Sequence, residues 1–284
     1  MEIEQMPNNL GMQAPTPELK PAEFARLKEF AYTTFGLSLP EGKERLVAAR
    51  LGRHLRARGF RSYSEYLRFV QADRSGEALT EIIDSLTTNH TSFLRERQHL
   101  DFLTQKVVKQ NPGWNPMRIW CAASSTGEEP YSIAFSLAEA QAIHRNLDFH
   151  ILATDISTRV LRVAGQAVYG LDRVQQLPPD WVPKYFDRSV NDGVPSFRVK
   201  AYVRSRITFK RLNLMQTLDV GVPYHAIFCR NVMIYFDQKT QASLVQRIAA
   251  NLVPGGYLFV GHAESLAGVQ HGLTYVCPAV YRKG

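Results

Sequence analysis

The stretch Arg118–Tyr131, R-I-W-C-A-A-S-S-T-G-E-E-P-Y, decides the fold class of this chain. It predicts a short buried strand, a tight turn at Gly127 and a helix whose first turn holds Pro130, a position where proline is tolerated. A strand that feeds a helix through a glycine turn is how an α/β sheet forms a nucleotide or cofactor site. Two carboxylates, Glu128 and Glu129, stand at the start of this helix, where they repel phosphate and attract an ammonium group. The turn therefore favours a cofactor with a cationic end over a dinucleotide pyrophosphate.

Apolar runs elsewhere in the second part of the chain predict further strands, and helical stretches separate most of them. The five strand candidates are Arg118–Ala122, His150–Thr154, Ile207–Arg211, His225–Cys229 and Tyr257–Gly261. This alternation predicts a parallel sheet with helices on both faces, that is, an α/β fold. The region 186–206 breaks the rhythm, because S-V-N-D-G-V-P lies there between two β-prone runs. It predicts an inserted hairpin.

The first part of the chain has a helical pattern. Residues 1–20 are rich in proline and predict a flexible tail. From Pro21 to about Arg97, apolar residues recur three and four positions apart. This spacing predicts a small all-α domain, with Ser64 as the cap of its third helix.

Composition excludes several classes of protein. The 284 residues are 45% hydrophobic and 21% charged, as in soluble globular proteins. No apolar run approaches the roughly 20 residues of a membrane-spanning helix, and the first ten residues do not resemble a signal peptide. The three cysteines, Cys121, Cys229 and Cys277, are far apart and show no metal-binding spacing. We therefore expect a reduced, cytoplasmic setting and no metal.

Most of the net charge of +8 lies in the segment Lys43–Arg61, which holds seven basic residues and one acidic residue. On a helical wheel four of its arginines share an arc of about 140°: Arg45, Arg50, Arg53 and Arg56. Such a face predicts an acidic partner, either nucleic acid, an anionic membrane surface or an acidic protein. The alternative is a solvated arginine face with no partner.

Polar residues follow the predicted strands at their carboxyl ends, the edge at which open α/β sheets bind ligands. Asp155 ends the second strand and is suited to accept ribose hydroxyls; the alternative is that it caps the next helix. After the third strand, Asn213 and the backbone of Leu214 suit an adenine edge, although asparagine is common in turns. After the fourth strand, Arg230 and Asn231 need partners within an apolar run, either a cofactor or a structural salt bridge.

Three more residues lie a few positions after these strand ends, and that distance predicts where they lie relative to the cleft. Tyr235 lies four residues after Asn231, so its hydroxyl can reach the same cleft. His262 and Glu264 follow the last predicted strand and could reach the cleft, although we expect them at the rim.

The segment Thr87–Glu96, T-T-N-H-T-S-F-L-R-E, concentrates hydroxyl, amide and guanidinium groups between the helical part and the sheet. Its threonines could cap a helix, and Arg95 could pair with Glu96 or Asp101. The functional alternative is a lid in which Arg95 holds a carboxylate while Glu129 holds an ammonium group. Those two charges match the amino-acid end of S-adenosylmethionine.

Six segments taken together resemble the chemotaxis receptor methyltransferases of bacteria, the CheR type. In chain order they are T-T-N-H-T-S-F-L-R-E, A-A-S-S-T-G-E-E-P-Y-S, A-T-D-I-S, F-K-R-L-N-L, F-C-R-N-V-M-I-Y-F-D and L-V-P-G-G-Y-L-F-V-G-H-A-E-S-L. The resemblance covers about Pro21 to Arg282. It implies a Rossmann-like class I S-adenosylmethionine-dependent methyltransferase domain with an inserted small β-subdomain, preceded by an all-α domain. We expect the tail at 1–20, the all-α domain at 21–97 and the methyltransferase domain at 98–284, with the insertion at about 186–206.

The resemblance also implies roles for individual residues. The expected contacts of S-adenosylmethionine, and of its product S-adenosylhomocysteine, are Asn89, Thr91, Arg95, Ala123, Glu129, Asp155, Asn213, Leu214, Arg230 and Asn231. Arg95 and Tyr235 are expected nearest the transferred methyl group. The implied substrate is a glutamate side chain on the cytoplasmic helical region of a chemoreceptor, with the four-arginine arc facing the receptor. We expect a cytoplasmic monomer recruited to receptor arrays, with no nucleic-acid partner.

Two alternative functions stay open on the sequence. A nucleic-acid methyltransferase is compatible with a pI near 9.4, but R-N-V-M stands where an N-P-P-Y type motif would follow the fourth strand. Retention on DNA or RNA at physiological salt would favour it. A non-catalytic adaptor that senses S-adenosylmethionine would bind the cofactor without turnover.

Overall fold

The computed structural model describes residues 17–88, 90–191 and 193–284, and for Asn191 only the backbone. The described chain divides into two compact units. Of the described residues, the first unit comprises those up to Phe30 and Leu39–Leu86, and the second comprises Ala31–Ser38 and those from Thr87 onward. The first sixteen residues of the expected tail, together with Asn89, lie outside the described residues. No helix in the described ranges has the length and apolar character needed to cross a membrane.

The first unit is helical. Its helices are α1 (Pro21–Phe35, which ends in the second unit), α2 (Glu44–Arg58), α3 (Tyr63–Ala72) and α4 (Glu77–Leu86). Val47, Leu51 and Leu55 recur every four residues along α2 and are buried, which is the pattern of a helix with one apolar face. The helical prediction is confirmed, but the predicted cap is wrong. The hydroxyl of Ser62 accepts the N–H of Glu65 and caps α3, whereas Ser64 lies inside the helix.

The second unit is built on a seven-stranded sheet. Its strands are β1 (Met117–Cys121), β2 (Phe149–Asp155), β6 (Ile207–Arg211), β7 (Tyr224–Cys229), β8 (Leu252–Val260), β9 (Leu273–Cys277) and β10 (Val280–Lys283). The strand order is β6-β2-β1-β7-β8-β10-β9. The first five strands are parallel, and β10 runs antiparallel to both β8 and β9.

The prediction of a purely parallel sheet is therefore wrong at one edge. The last two strands are joined by a turn in which Ala279 has a φ of +62°, and so tight a connection requires antiparallel pairing. Three successive residues of β9 (Thr274, Tyr275 and Val276) are exposed, so this edge strand lacks the apolar pattern of the central ones.

Helices cover both faces of the sheet, as predicted. The longer helical elements of the unit are α5 (Arg97–Phe102) with a π-helical continuation (Leu103–Val108), α6 (Glu128–Ala140), α7 (Thr158–Gln166) and α11 (Gln238–Ala250). Alternate residues of β1 point to opposite faces: Ile119 joins one core with residues of α6, and Trp120 joins the other with residues of α11. Because both faces of β1 are buried beyond Arg118, the rest of the strand is an apolar run.

A small antiparallel sheet is inserted between α7 and β6. It consists of β3 (Val168–Gly170), β4 (Phe186–Asn191) and β5 (Val194–Val199) in the order β3-β5-β4, with the short helices α8 (Leu171–Val174), α9 (Trp181–Tyr185) and α10 (Ala201–Arg204) around it. The hairpin of β4 and β5 was predicted, whereas β3, only three residues long, was not. The α/β fold with an inserted small sheet, preceded by helices, is confirmed.

The topology places a ligand edge between β1 and β7. From β1 the chain continues through β2 to β6 on one side of the sheet, and from β7 it continues to β8 on the other. Loops that leave these two neighbouring strands diverge and open a crevice at their carboxyl ends.

Candidate functional site

The turn after β1 brings the backbone close to the inserted sheet. Gly127 has a φ of +98°, and a Cβ atom there would lie 2.8 Å from the hydroxyl of Tyr169 and 2.9 Å from the Cβ of Ala164. Only glycine fits both the conformation and the space. Ala123 lies half-buried in the same turn.

The two glutamates that begin α6 have different surroundings. Glu128 is 1% exposed. Its carboxylate accepts a hydrogen bond from Thr126 (2.6 Å) and pairs with Arg173 (3.1 Å), so it is already occupied by partners within the protein. The expectation that both carboxylates attract a ligand is therefore wrong for Glu128. Glu129 faces the crevice, and the thiol of Cys121 donates to its Oε1 (3.3 Å). Burial raises the pKa of Glu129, although nearby Arg230 acts against this.

Arg230 is the central cation of the site. Its side chain is 1% exposed, and its guanidinium lies 3.5 Å from Oε2 of Glu129 and 3.2 Å from Oε2 of Glu96. It also donates to the backbone carbonyl of Arg95 (2.7 Å). These contacts join the end of β7, the start of α6 and the segment Thr87–Glu96 in one ion-pair network.

The described part of the segment Thr87–Glu96 has an unusual backbone conformation beside the crevice. Leu94 and Glu96 have φ values of +55° and +52°, which are costly for residues other than glycine and cluster at functional sites. The guanidinium of Arg95 donates to the carbonyl of His90 (2.9 Å). Thr91 is buried, and its carbonyl accepts a hydrogen bond from Arg173.

Three of the expected contacts line one small cavity. Its lining residues are Ser92, Arg95, Leu100, Glu129, Ser132 and Arg230. A carboxylate and two guanidinium groups thus converge, which is the charge pattern that an amino-acid zwitterion requires.

Asp155 lies at the neighbouring strand end, as expected. Its Oδ2 accepts the N–H of Ser125 (2.9 Å) in the turn after β1, and its Oδ1 accepts the N–H of Ser157 (3.0 Å). Asp155 therefore links the ends of β1 and β2. The N-cap of α7 is Ser157, so the capping interpretation is wrong for Asp155, and its contact with the cofactor stays a prediction.

The side chain of Asn213 is used within the protein. Its amide donates to the carbonyl of Thr34 (2.7 Å), and its oxygen accepts the N–H of Met215 (2.9 Å). The neighbouring Leu214 is buried. An adenine contact in this loop would therefore rely on backbone atoms more than on the asparagine amide.

Tyr235 lies in a 3₁₀ turn after β7 (Met233–Tyr235). Its hydroxyl accepts the N–H of Thr88 (2.9 Å) and donates to the carbonyl of the same residue (3.1 Å). The tyrosine thus ties the β7 loop to the start of the segment Thr87–Glu96.

Two carboxylates take part in the site in ways that the sequence did not predict. Glu96 pairs with Arg230 and accepts weaker hydrogen bonds from Asn231 Nδ2 (3.4 Å) and from the N–H of His262 (3.3 Å). Glu264 is 7% exposed and lies within the structure, so its expected place at the rim is wrong. An acidic residue four positions after a buried strand was the signal that could have identified it.

Glu96, His99 and His262 approach each other as metal ligands would, with one ligand atom each within 4.8 Å. Arg230, however, already neutralises Glu96 at 3.2 Å and would repel a cation. Burial, followed by Arg230, lowers the pKa of His99 to about 4, so its ring is neutral. A neutral imidazole can ligate a metal, so it is the charge of Arg230 beside Glu96 that favours the ion-pair network over a metal.

Buried polar atoms at the crevice suit a polar ligand. Within the described ranges the hydroxyls of Ser124 and Ser125 and the Nε of Arg230 are buried without a hydrogen-bond partner. Unpaired buried donors are costly, and a ligand with carboxylate and hydroxyl groups can satisfy them.

Comparison with known proteins identifies a related family over both units. Residues 89–280 match the family model described as "CheR methyltransferase, SAM binding domain", and residues 22–87 match "CheR methyltransferase, all-alpha domain". Here SAM denotes S-adenosylmethionine.

Curated relatives match over nearly their whole length. A chemotaxis protein methyltransferase of Borreliella burgdorferi is 39% identical over 92% of this chain and 94% of its own. Chemotaxis protein methyltransferase 2 of Pseudomonas aeruginosa is 40% identical over 91% of this chain and 92% of its own. The chemotaxis protein methyltransferase of Escherichia coli is 35% identical over 93% and 91%.

Proposed function

The chain belongs to the CheR methyltransferase family, and from that premise we propose that it methylates glutamate side chains of a chemoreceptor to form methyl esters. It is a SAM-dependent methyltransferase, and SAM supplies an electrophilic methyl group when bound. The observation that carries the proposal is the convergence of Arg95, Glu129 and Arg230 on one cavity. A buried carboxylate beside guanidinium groups suits the ammonium and carboxylate of the methionine part of SAM.

The other cofactor contacts are assigned by position in the crevice. Asp155 would accept the ribose hydroxyls, and the loop of Asn213 and Leu214 would border the adenine. Asn231 and Thr91 would complete the site beside the turn that holds Ala123; Asn89 stays a prediction, because it lies outside the described residues.

The methyl acceptor needs no general base. A glutamate has an ordinary pKa of about 4.3, so it is already ionised at neutral pH. The protein's contribution is then alignment of the acceptor and exclusion of water. Half-buried Arg95 lies at the cavity and would attract the incoming carboxylate.

Tyr235 would contribute its ring to the transfer site. Its hydroxyl is paired with Thr88 at both the N–H and the carbonyl. The tyrosine is therefore suited to hold the segment Thr87–Glu96 over the crevice. This role differs from direct orientation of the acceptor through the hydroxyl, for which the Thr88 bonds would have to break.

The receptor would be recognised through α2. Arg45, Arg53 and Arg56 are exposed, whereas Arg50 is half-buried and donates to the carbonyl of Leu86 at the end of α4 (2.8 Å). The exposed three would attract the acidic methylation region of a receptor and speed the encounter. We place this event in the cytoplasm at receptor arrays, with the enzyme as a monomer and without nucleic acid.

The test is transfer of labelled methyl groups. The purified protein is incubated with methyl-labelled SAM and with membranes that carry chemoreceptors from the same organism. We expect label on receptor-sized bands, released as methanol by mild alkali, and none with Arg95→Ala. Cofactor binding without label on receptors would overturn the proposal, and label on added RNA or DNA would replace it with the nucleic-acid alternative.

The receptor-facing role of α2 has its own test. Arg45→Glu and Arg56→Glu should raise the KM for receptor membranes roughly tenfold at low salt and leave the affinity for S-adenosylhomocysteine unchanged. The matched control is Arg145→Glu, an exposed arginine of the second unit. Equal effects of all three substitutions would reject a specific surface on α2.

A further inference from the structure

Glu264 binds four backbone N–H groups. Its Oε2 accepts from Gly261 (2.6 Å) and Asn231 (2.8 Å), and its Oε1 accepts from Met233 (2.7 Å) and Ile234 (3.2 Å). Three of these donors belong to the loop after β7, which carries Asn231 and Tyr235 of the proposed site. A single buried carboxylate therefore determines the course of that loop.

The local backbone is shaped for this carboxylate. Asn231 has a φ of +57°, a conformation that turns successive N–H groups toward one anion. A Cβ at Gly261 would lie 2.5 Å from the side-chain nitrogen of Asn231 and 2.8 Å from Oε2 of Glu264. Glycine is thus required where the end of β8 approaches the loop. Burial raises the pKa of Glu264, and the four N–H groups oppose that effect.

We propose that Glu264 is a positioning residue for methyl transfer, which holds the loop after β7 so that Arg230, Asn231 and Tyr235 keep their places. This inference rests on the proposed function. The loop carries the central cation of the site at one end and the tyrosine paired with Thr88 at the other. Displacement of the loop would therefore weaken both cofactor binding and the alignment of the acceptor.

A second carboxylate fixes the same asparagine from its side chain. Glu96 Oε1 accepts the Nδ2 of Asn231, while Glu264 accepts its backbone N–H. Asn231 is thus held at two points by carboxylates from two different loops. Loss of Glu264 leaves the side-chain contact in place, so the expected defect is a shifted loop in a folded protein.

The experiment uses Glu264→Gln in the full-length chain. Glutamine keeps the shape but replaces one acceptor oxygen with an NH₂ group that faces two N–H donors. We expect the Kd for S-adenosylhomocysteine, measured by calorimetry, to rise roughly tenfold or more, and kcat on receptor membranes to fall roughly tenfold. Tryptophan fluorescence at the assay temperature verifies that the variant is folded.

Glu23→Gln is the matched control. Glu23 is 8% exposed, close to the 7% of Glu264, and it also accepts backbone N–H groups, from Lys20 (3.2 Å) and Ser64 (2.9 Å), but it lies in the first unit. Both substitutions should lower Tm, and only Glu264→Gln should change the affinity for S-adenosylhomocysteine. A folded Glu264→Gln with affinity and kcat within about twofold of the unmodified enzyme would overturn the proposal.

Glu264→Asp covers the case in which the glutamine variant does not fold. Aspartate keeps the charge but is one methylene shorter, so we expect a folded protein whose Kd for S-adenosylhomocysteine is several-fold higher. An unchanged Kd and kcat would overturn the proposal. Because binding of S-adenosylhomocysteine needs no methyl acceptor, this test remains readable even if receptors prove not to be the substrate.

Discussion

Replacing Arg230 with methionine should destabilise the second unit in a manner that depends on pH. The guanidinium is 1% exposed and compensates the carboxylates of Glu96 and Glu129 at 3.2 and 3.5 Å. Methionine keeps much of the volume but removes the charge. Removing one partner of a buried ion pair costs about 3–5 kcal/mol, because the other partner is left buried and unpaired.

The pH dependence follows from Glu129. Burial already raises its pKa above 4.5, and loss of Arg230 removes the largest opposing influence. A carboxyl whose pKa is raised in the folded state destabilises it increasingly as pH rises from 4.5 through the folded pKa. The deficit of Arg230→Met relative to the unmodified protein should therefore be larger near pH 8 than near pH 5.5, by about 1 kcal/mol for each unit of added shift within that window.

His99 adds to the same trend. Burial and, second, the charge of Arg230 lower the pKa of His99 to about 4. Arg230→Met therefore raises the pKa of His99, so protonation of His99 destabilises the variant less in acid than it destabilises the unmodified protein. Urea unfolding followed by tryptophan fluorescence is the assay, since all three tryptophans (114, 120 and 181) lie in the second unit. Arg145→Met, at an exposed arginine, is the control and should change stability by less than about 0.5 kcal/mol. A deficit under about 1 kcal/mol near pH 8, or equal deficits at both pH values, would refute the reasoning.

Three further substitutions give separate tests. Tyr235→Phe removes both hydrogen bonds to Thr88, so kcat should fall roughly tenfold while the Kd for S-adenosylhomocysteine stays within about threefold; an unchanged kcat in steady-state assays would contradict this. Asp155→Ala should raise the Kd for S-adenosylhomocysteine, measured by calorimetry, roughly 10- to 100-fold, because hydrogen bonds to a carboxylate are strong; a Kd within about threefold of that of the unmodified protein would show that Asp155 does not bind the cofactor. His225 accepts the N–H of Arg118 at Nδ1 (2.8 Å), and burial lowers its pKa from 6.5 to about 4. His225 is neutral in the folded protein, so the free energy of unfolding decreases as pH falls from 6.5 toward about 4, by up to about 3 kcal/mol. With His225→Asn, the free energy of unfolding measured in urea should depend less on pH in that range.

The central strands could be predicted because their signal is local. Ile207–Arg211 has the predicted bounds, and His225–Cys229 begins one residue late. The last parallel strand begins at Leu252 instead of Tyr257, because pairing with β7 extends across a proline and two glycines that were interpreted as a turn. Strand β10 pairs on both sides with strands that lie next to it only in the folded sheet, and its four residues carry little pattern.

The candidate site was predicted in part. Arg95, Glu129 and Arg230 do share a cavity, as their positions at strand ends and in the preceding segment indicated. The side chain of Asn213 is instead used by Thr34, a residue 179 positions away, and no local pattern could identify that partner.

By itself, the sequence determined the α/β class, the helical first part and the edge of the sheet where polar groups collect, because strand and helix periods and glycine turns act over a few residues. Only the tertiary structure decided which charges meet. Glu96 and Asn231 are 135 positions apart, and three of the four N–H donors to Glu264 lie 30 to 33 positions away. A carboxylate's effect depends on its distance from a donor and on its burial, and the strand order sets both of these quantities.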